Sequence, residues 1–490
     1  MSSNTYLEIK YAIKSDDFIQ TNHTIQDRLI YFSYYKSIVD QELLHTKLLQ
    51  ALKCSPTTFS NLSDVIKQIP LSGINYSSDV NEILQCLLSG YAYIQLDPEL
   101  NNGILVNIAN LKTGYRSTNE TENEYSVIGP KVGLVENLDI NLNLLRKEIV
   151  SDKLRMEEFI LGSLSQTRVN IVYLEGICNP QHINTVRQRL VDFDFDVIFD
   201  SSILDQIISD NSNSPFPLFM SSERLDRVKF SLLSGQVAIL SNGSPYAITG
   251  PSTIFDFFIS PEDYYLPWLI GSFFRCLRFF GVVFSIFASP LYVAVLTFHY
   301  SSIPHSLLES IVLSRSNVPF KPVTEVLFLE ITVEMLREAG SRLPTKIGQT
   351  LGIVGGIVLG QAAVQASLTS NILIIIISLS ALSSFATPIF KMSNTIRFLR
   401  FPLIFLASQL GGLGIMLGIV LLLGHLLRLK SLGVPYLVPL FPLRTTGFAD
   451  SFIRSSLSVL TKLPPSLRPI TRRRYHSKKH KDQGSDYNNE

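Results

Sequence analysis

The residues best suited to chemistry lie in an apolar stretch of the C-terminal half. Four glycines recur at every fourth position, and two glutamines follow one turn apart. These residues are Gly348, Gly352, Gly356, Gly360, Gln361 and Gln365. Glycine at every fourth position gives a helix one edge without side chains, on which another helix can pack closely. Amides are costly against lipid, so the pattern predicts either a tight contact within the chain or an oligomeric, pore-lining role.

A second group of polar residues lies just before this stretch, in residues 323–339. The spacing predicts an amphipathic helix with four charged residues on one face and leucines on the rest. The charged residues are Glu330, Glu334, Arg337 and Glu338. Glutamates at one-turn spacing could attract cations, but the neighbouring arginine makes ion pairing on the helix surface an equal alternative. His299 and His305 have no carboxylate or thiol nearby, so no metal site is predicted.

The common catalytic motifs are absent from the sequence. It contains no phosphate loop, no Gly-x-Gly-x-x-Gly, no His-Glu-x-x-His and no Gly-x-Ser-x-Gly. The four cysteines, Cys54, Cys86, Cys178 and Cys276, lie far apart, so we expect reduced core thiols rather than a zinc site or disulfides. The net charge of +1 indicates no nucleic-acid partner. We therefore expect no enzyme and no cofactor.

Long apolar runs must position these residues, and they begin after a polar N-terminal half. Four runs approach or exceed the roughly twenty residues of a bilayer-crossing helix. They are residues 269–298, 347–366, 372–389 and 402–427. Arg275 and Arg278, near the start of the first run, are expected to extend to the cytoplasmic interface.

The residues alone leave the topology open. If residues 323–339 lie flat in the interface, four spans keep both termini inside. Lys391, Arg397 and Arg400 then occupy an outside loop, against the positive-inside tendency. If residues 323–339 cross, that loop moves inside, but the basic tail is then outside unless residues 434–443 also cross or re-enter.

The N-terminal half contains a repeated pattern of strand, turn, helix, loop, helix, glycine and strand. Residues 34–49 resemble residues 173–188, and LLSGYAYI at 87–94 resembles LLSGQVAI at 232–239. Gly90 and Gly235 are predicted to end helices in the left-handed conformation. The repeat predicts two related α/β lobes that arose by internal duplication.

The predicted fold is an α/β cytoplasmic head of two related lobes followed by an α-helical multi-span membrane domain. The predicted units are a first α/β lobe (1–125), a helical connector (126–165), a second α/β lobe (166–262), a membrane domain with an amphipathic or re-entrant helix near 323–339 (263–443) and a basic cytoplasmic tail (444–490). The first thirty residues lack the features of a secretory signal, so the head is expected in the cytoplasm. The basic tail favours the same side, as a solvated segment rather than a specific lipid-binding patch.

Residues 313–365 (LSRSNVPFKPVTEVLFLEITVEMLREAGSRLPTKIGQTLGIVGGIVLGQAAVQ) resemble the hallmark of the A subunits of the GerA family of spore germinant receptors. The resemblance continues through GPKVGLVE (129–136), NLNLLR (141–146), YLEGICNP (173–180), FPLFMSSERLD (216–226), PEDYY (261–265) and SLGVPYLVPLFP (431–442). The chain departs from the family pattern at Leu225, Asn242 and Lys321, where proline, aspartate and proline are usual.

The resemblance implies a multi-pass protein of the spore inner membrane that senses nutrients and starts germination. It implies a permease-like B subunit, a lipoprotein C subunit and membrane lipid as partners. It also implies a homo-oligomer of A subunits that forms a nutrient-gated cation channel. The alternatives are a membrane transporter and a membrane-anchored signalling scaffold. The transporter is disfavoured because the internal repeat lies in the head and not in the membrane part.

Overall fold

The computed structural model describes most of the chain. The described residues are 15–25, 28–55, 59, 61–71, 73–97, 102–109, 121, 124, 128–192, 195–343, 356, 358–456 and 463–471. The first half forms two five-stranded antiparallel sheets covered by helices, which we call the head. The second half is helical.

The first lobe is a sheet with helices on both faces. Its elements are β1 (Phe18–Ile25), β2 (Arg28–Tyr35), α1 (Leu43–Leu49 with Gln50–Lys53), α2 (Leu62–Gln68), β3 (Ile74–Ser77), α3 (Val80–Leu88), β4 (Tyr91–Gln95) and β5 (Gly103–Asn107). The strand order is β1-β2-β4-β5-β3. Because strand side chains alternate, Phe32 packs under α1 and α2 while Tyr35 packs under α3 on the other face.

The second lobe has the same plan. Its elements are α4 (Leu138–Glu148), β6 (Leu154–Leu161), β7 (Thr167–Leu174), α5 (Pro180–Asp192), α6 (Ser201–Ile208), β8 (Met220–Ser222), α7 (Leu225–Ser234), β9 (Val237–Ser241) and β10 (Ala247–Gly250). The strand order is β6-β7-β9-β10-β8. One face packs against α5 and α6, and the other against α4 and α7.

The two lobes match at the positions that the sequence repeat predicts. The paired segments near residues 90 and 235 lead into β4 and β9, which hold the same place in their sheets. The left-handed prediction is confirmed, because φ is +90° at Gly90 and +95° at Gly235. Origin by duplication stays a prediction.

The predicted helical connector, residues 126–165, is helical only in α4, which ends at Glu148. The first strand of the second sheet, β6, lies inside this segment. It pairs antiparallel with β7 across a tight turn in which Gly162 and Gln166 both have positive φ. The Leu, Met and Glu residues of β6 favour a helix by intrinsic propensity. Pairing with β7, with alternate side chains of the second half of β6 exposed, is more favourable and makes the segment a strand.

The C-terminal half is built around one long helix. Its helices are α8 (Trp268–Phe298), α9 (His305–Arg315), α10 (Pro322–Ser341), α11 (Asn371–Phe385), α12 (Phe390–Leu410) and α13 (Gly412–Arg428), with residues 358–365 also helical. The central helix α8 packs against α10, α11, α12 and α13. Within the described residues, α8 alone is long and apolar enough to cross a membrane, while α11 and α13 are apolar but shorter.

The helices run alternately between two ends. We call one the head end, where α8 begins and where Lys391 of α12 donates to Asp205 Oδ2 of α6 at 2.6 Å. We call the other the far end, where a Cβ at Gly411 would lie 2.9 Å from Phe298. Accordingly α8 and α12 run away from the head, and α13 returns to it.

Helix α10 also runs between the two ends and does not lie across one of them. At its start, Glu325 accepts a hydrogen bond from Ser370 N at the far end of α11, at 2.7 Å. Near its finish, Arg337 Nη1 donates to Asn394 Oδ1, 3.1 Å away and one turn from the head end of α12. The helical residues 358–365 are followed by Thr369 and Ser370, which contact Glu325 at the far end. The head and the described C-terminal segment therefore lie at the same end.

The predicted single helix over residues 402–427 is wrong, because this segment contains parts of two antiparallel helices. The chain reverses at Gly411, whose φ of +60° and ψ of −133° suit glycine. A Cβ at Gly414 would lie 2.0 Å from Leu406 O, so glycine is what allows α12 and α13 to meet. Pro402 does not begin a helix but lies inside α12.

A group of buried charges, which we call the neck, joins the head to α8. Arg275 Nε lies 3.2 Å from Asp263 Oδ2, and Arg275 Nη1 lies 3.1 Å from Asp450 Oδ1. Arg278 also pairs with Asp263. The expectation that these arginines extend into the interface is wrong, because acidic residues before and after the helical part hold them inside. Arg454 of the predicted solvated tail is likewise buried, and it donates to two backbone carbonyls.

The head and the helical part share one apolar core. The cluster that contains Val169 and Ile239 of the second sheet continues into Met392 and Ile396 of α12. It also includes Tyr436, whose hydroxyl donates to Pro217 O at 2.8 Å. The second lobe is therefore packed onto the helices and is not merely tethered to them.

Candidate functional site

The helical part encloses charged side chains, which we call the buried ionic row. It extends along α10 from the far end to the head end. Its members are Glu325, Glu330, Glu334 and Arg337 of α10, Arg315 of α9, and Arg397 and Arg400 of α12. Glu330 and Glu334 are about one turn apart on one face, whereas Glu325 lies about 140° around the helix from Glu330, so the row winds around α10.

The centre of the row is an ion pair between Glu330 and Arg400. Arg400 Nη1 lies 2.5 Å from Glu330 Oε2, and each side chain is 1% exposed. Two serines of α8 complete the contacts: Ser289 donates to Glu330 Oε1 at 2.5 Å, and Arg400 Nη2 donates to Ser285 at 2.8 Å. Three helices are thus joined through one charge pair.

Towards the head end, two arginines share one asparagine. Asn394 Oδ1 accepts hydrogen bonds from Arg337 and Arg397. Arg337 donates to Glu334, and Arg397 Nε lies 3.8 Å from the same carboxylate. The Arg397 guanidinium also lies over the Phe385 ring, 5.5 Å from its centroid. This layer ties the end of α10 to α11 and α12.

Towards the far end, Glu325 caps the start of α11. Its Oε1 accepts from Ser370 N at 2.7 Å and from Thr369 Oγ1 at 3.2 Å, where the helix dipole favours a negative charge. Arg315 Nε lies 3.5 Å from its other oxygen. Tyr292 of α8 and Ser370 are joined by their hydroxyls at 3.1 Å.

The row fixes the position of α10 against its neighbours. A buried charge whose partner is removed costs several kcal/mol, so sliding or rotating α10 alone is unfavourable. The paired charges therefore hold α10 in the register that the structure shows.

The predicted acidic face is only partly the one that the structure uses. Glu330, Glu334 and Arg337 belong to the row, whereas Glu338 is exposed and pairs with Arg342 on the outer surface. At about 100° per residue, Glu338 lies about 80° from Glu330 around the helix, whereas Glu334 and Arg337 lie within about 40° of it.

Sequence reasoning missed Glu325, Arg397 and Arg400. Arginines inside an apolar segment are a signal of buried partners. A span that begins at Pro402, as the sequence pattern predicts, places these two arginines in a loop instead. The helix begins earlier, at Phe390, and tolerates the proline inside it.

The predicted glycine edge is open where the structure describes it. Gly348 and Gly352 lie outside the described residues. A Cβ at Gly356 or Gly360 would meet no described atom within 4 Å. Gln361 and Gln365 are exposed. Among the described residues, therefore, the edge makes no tight contact within the chain.

A cleft of about 460 Å³ lies where the second lobe meets α12. Its walls come from α6, the loop at residues 209–218 and the first turns of α12. Lys391 and Asp205 face each other across it at 2.6 Å. Burial raises the pKa of Asp205, and the Lys391 charge opposes that rise.

The cysteines and the other potential ligands are dispersed. In the part of the chain that the structure describes, no three His, Cys, Asp or Glu side chains are placed to hold a metal ion. Cys178 is buried, but Cys54 and Cys276 are exposed, so the expectation of core thiols is wrong for these two. Cys54 ends α1 at a turn, and Cys276 faces outward from α8.

The chain is similar to known proteins over most of its length. The family model described as Bacillus/Clostridium GerA spore germination protein matches residues 6–466. Spore germination protein GerQA of Bacillus cereus is 47% identical over 463 residues, 94% of this chain and 92% of that protein. Spore germination protein GerIA of the same species is 45% identical, covering 93% of this chain and 68% of that protein.

Two further comparisons give lower identities. Spore germination protein A1 of Bacillus subtilis is 35% identical and covers 92% of this chain and 93% of that protein. A solved structure, the N-terminal domain of the A subunit of the Bacillus megaterium spore germinant receptor GerK3, is 24% identical. It covers 52% of this chain and 95% of that domain, with a TM-score of 0.39. On the family match and these identities, the chain belongs to the GerA family of spore germination proteins.

Proposed function

We propose that this chain is the membrane subunit of a nutrient germinant receptor that triggers spore germination. It acts with a permease-like subunit and a lipoprotein subunit, and several copies form a ligand-gated cation channel. Its role is signalling and ion release rather than catalysis. Membership of the GerA family supports the receptor role, and the helical part supports the channel.

The outer surface of the helices supports a multi-pass membrane location. Large apolar side chains are exposed along them. They include Phe273, Phe280, Leu291, Phe405, Leu413 and Met416. Soluble proteins rarely expose apolar patches of this extent, whereas lipid covers them at no cost. In this proposal α10 and α11 to α13 cross with α8, residues 358–365 are part of a further crossing, and the head and the described C-terminal segment lie in the cytoplasm.

The observation that carries the channel proposal is the open edge of the helix at residues 358–365. A Cβ at Gly360, or at Gly356 just before this helix, would meet no described atom within 4 Å, and Gln361 and Gln365 are exposed. Amides against lipid are unfavourable, so a second copy or a hydrated path is needed to cover them. An oligomer that places this edge towards its axis meets both needs.

The buried ionic row supplies the gate in this proposal. Helix α10 precedes the helix with the open edge, so a change in the pairing of Glu330 and Arg400 moves that helix relative to the axis. A nutrient signal from the permease-like partner biases α10 between two positions. The head-end layer at Asn394 connects the same motion to the second lobe.

The test is nutrient-triggered potassium release from spores that carry variants of the chain. Gly356→Leu and Gln361→Leu place bulk on the open edge and are expected to reduce the release rate at least tenfold. Gly424→Leu is the matched control, because a Cβ at that glycine of α13 also meets no described atom within 4 Å. Unchanged release in the edge variants, with subunit assembly intact by cross-linking, contradicts the gating role.

A further inference from the structure

The cleft between the head and α12 opens onto the outer surface of the helices. Lys391, Thr395, Phe398, Pro402 and Phe405 recur at intervals of three or four residues, so they lie on one face of α12. The first three line the cleft. Phe398 and Phe405 are 58% and 62% exposed. One continuous face thus changes from polar and enclosed to apolar and open.

The enclosed part offers donors for a phosphate group. Lys391 has three N–H donors, and its contact with Asp205 Oδ2 uses one of them. Asn394 lines the cleft, and its Oδ1 accepts from two arginines, which leaves Nδ2 as a donor. Ser209 also lines the cleft, but its hydroxyl donates to Asp205 O at 2.6 Å. A charged donor with a neutral donor beside it is typical of phosphate recognition.

The same cleft offers an acceptor for a cation. Asp205 is 8% exposed, and its Oδ1 is buried without a hydrogen bond among the described residues. A buried carboxylate oxygen is costly to leave unpaired, so a donor from a ligand would be favourable here. Asp205 Oδ2 therefore accepts from Lys391, and Oδ1 is left to accept from the ammonium of a ligand.

We propose that this cleft binds the headgroup of a membrane phospholipid that carries both a phosphate and an ammonium. The phosphate contacts Lys391 and Asn394, the ammonium contacts Asp205 Oδ1, and an acyl chain lies along Phe398 and Phe405. The inference rests on the proposed membrane location of the helices. Basic pockets at the cytoplasmic ends of membrane helices are suited to lipid headgroups.

Occupancy of the cleft bears directly on the buried ionic row. Asn394 is the residue whose Oδ1 joins Arg337 to Arg397. A phosphate on Nδ2 orients this amide and so favours the position of α10 that the structure shows. The bound lipid therefore stabilises the helix arrangement that the structure shows.

The experiment is native mass spectrometry of the full chain, purified in mild detergent and titrated with phosphatidylethanolamine. The double variant Lys391→Gln/Asp205→Asn removes both charges together and is expected to weaken lipid binding at least tenfold. Phe398→Ala alters an exposed side chain, so the fold is retained, and is expected to weaken binding about threefold. Arg428→Gln is the control, because this basic residue ends α13 outside the cleft lining.

Three results would overturn the inference. They are equal binding by the wild type and the double variant, equal binding of phosphatidylglycerol and phosphatidylethanolamine, and displacement of the lipid by inorganic phosphate alone. A chain that supports nutrient-triggered potassium release but shows any of these results fails only the lipid inference. A chain that is absent from the membrane fraction fails the proposed function as well.

Discussion

Glu330 and Arg400, 70 residues apart in sequence, join α10 to α12 through a contact of 2.5 Å from which solvent is excluded. Charges in such surroundings are stable only as a pair, because each alone carries an uncompensated desolvation cost. Removing either side chain therefore leaves the other charge buried without its partner.

We expect Glu330→Gln or Arg400→Met to destabilise the helical part by about 3–5 kcal/mol, since each leaves one buried charge unpaired. The double variant Glu330→Leu/Arg400→Met should recover most of that loss. Thermal unfolding in detergent measures both effects. Arg342→Ala is the control, because its pair with Glu338 is exposed and its loss should leave the unfolding temperature unchanged. Additive losses in the double variant would contradict the pairing.

Three glycines of α13 should respond to alanine in a fixed order. A Cβ at Gly414 would lie 2.0 Å from the backbone oxygen of Leu406, and one at Gly418 would lie 2.3 Å from a side-chain methyl of Leu403. Backbone atoms can move aside less easily than a side chain. We therefore expect alanine to lower the free energy of unfolding by about 3 kcal/mol at Gly414 and by about 1 kcal/mol at Gly418. Gly424→Ala meets open space and should change nothing. Unfolding temperatures test the order, and a reversed order would contradict the hairpin packing.

Helix α10 should be found to cross the membrane. We expect a cysteine at position 302 to react with a membrane-impermeant maleimide only from the side opposite the head, and one at position 341 only from the side of the head. Ser302 follows α8 at the far end, and Ser341 is the last residue of α10. Both are exposed. A cysteine in place of Lys430, which is exposed at the head end, should label together with position 341. Labelling of positions 302 and 341 from the same side would show that α10 lies flat.

The head should lose stability in mild acid through His182. Burial, with a smaller contribution from Arg468, lowers the pKa of this histidine to about 4. The folded state therefore favours the neutral ring, and this stability is complete above about pH 6.5 and is lost as the pH falls towards 4. Between pH 6.5 and pH 5 the loss is about 2 kcal/mol.

Thermal unfolding of the full chain across that range tests the expectation. His182→Gln removes the titrating group and should flatten the dependence on pH, whatever it does to the stability at pH 7. His305→Gln changes an exposed histidine at the far end and should leave the slope as it is. An unchanged slope in His182→Gln would contradict the assignment.

Thiol labelling should separate the cysteines by burial. Cys178 is 1% exposed, and burial raises its pKa to about 12, so little thiolate forms at pH 8. We expect its alkylation by N-ethylmaleimide to be at least about a hundredfold slower than that of the exposed Cys54. Mass spectrometry of the two peptides measures the rates, and denaturant should make them equal. Similar rates in the folded chain would contradict the packing of the second lobe.

Local features of the fold could be predicted from the sequence. Gly90 and Gly235 end their helices as glycine's conformational freedom indicates, and period-two and helical patterns locate most elements of the head. Likewise, the spacing of Glu330, Glu334 and Arg337 marks one face of α10. These features depend on neighbours within a few turns.

Pairings over long sequence distances could not be predicted in the same way. Arg275 donates a hydrogen bond to Asp450, which lies 175 residues later in the sequence, and no local pattern indicates that partner. The positions of Arg397 and Arg400 depend on where α12 begins, which Pro402 obscures. The reversal at Gly411 was hidden because apolar residues continue through it. In each case tertiary contacts decide what periodicity leaves open.

The neck has a mechanical consequence. Asp263 precedes the first helix and Asp450 follows the last, and both hold Arg275. The head is consequently clamped to α8 by the chain on its way in and on its way out. Two attachment points restrict rotation of the head relative to α8 more than one would. We therefore expect the second lobe and α8 to move together as one body.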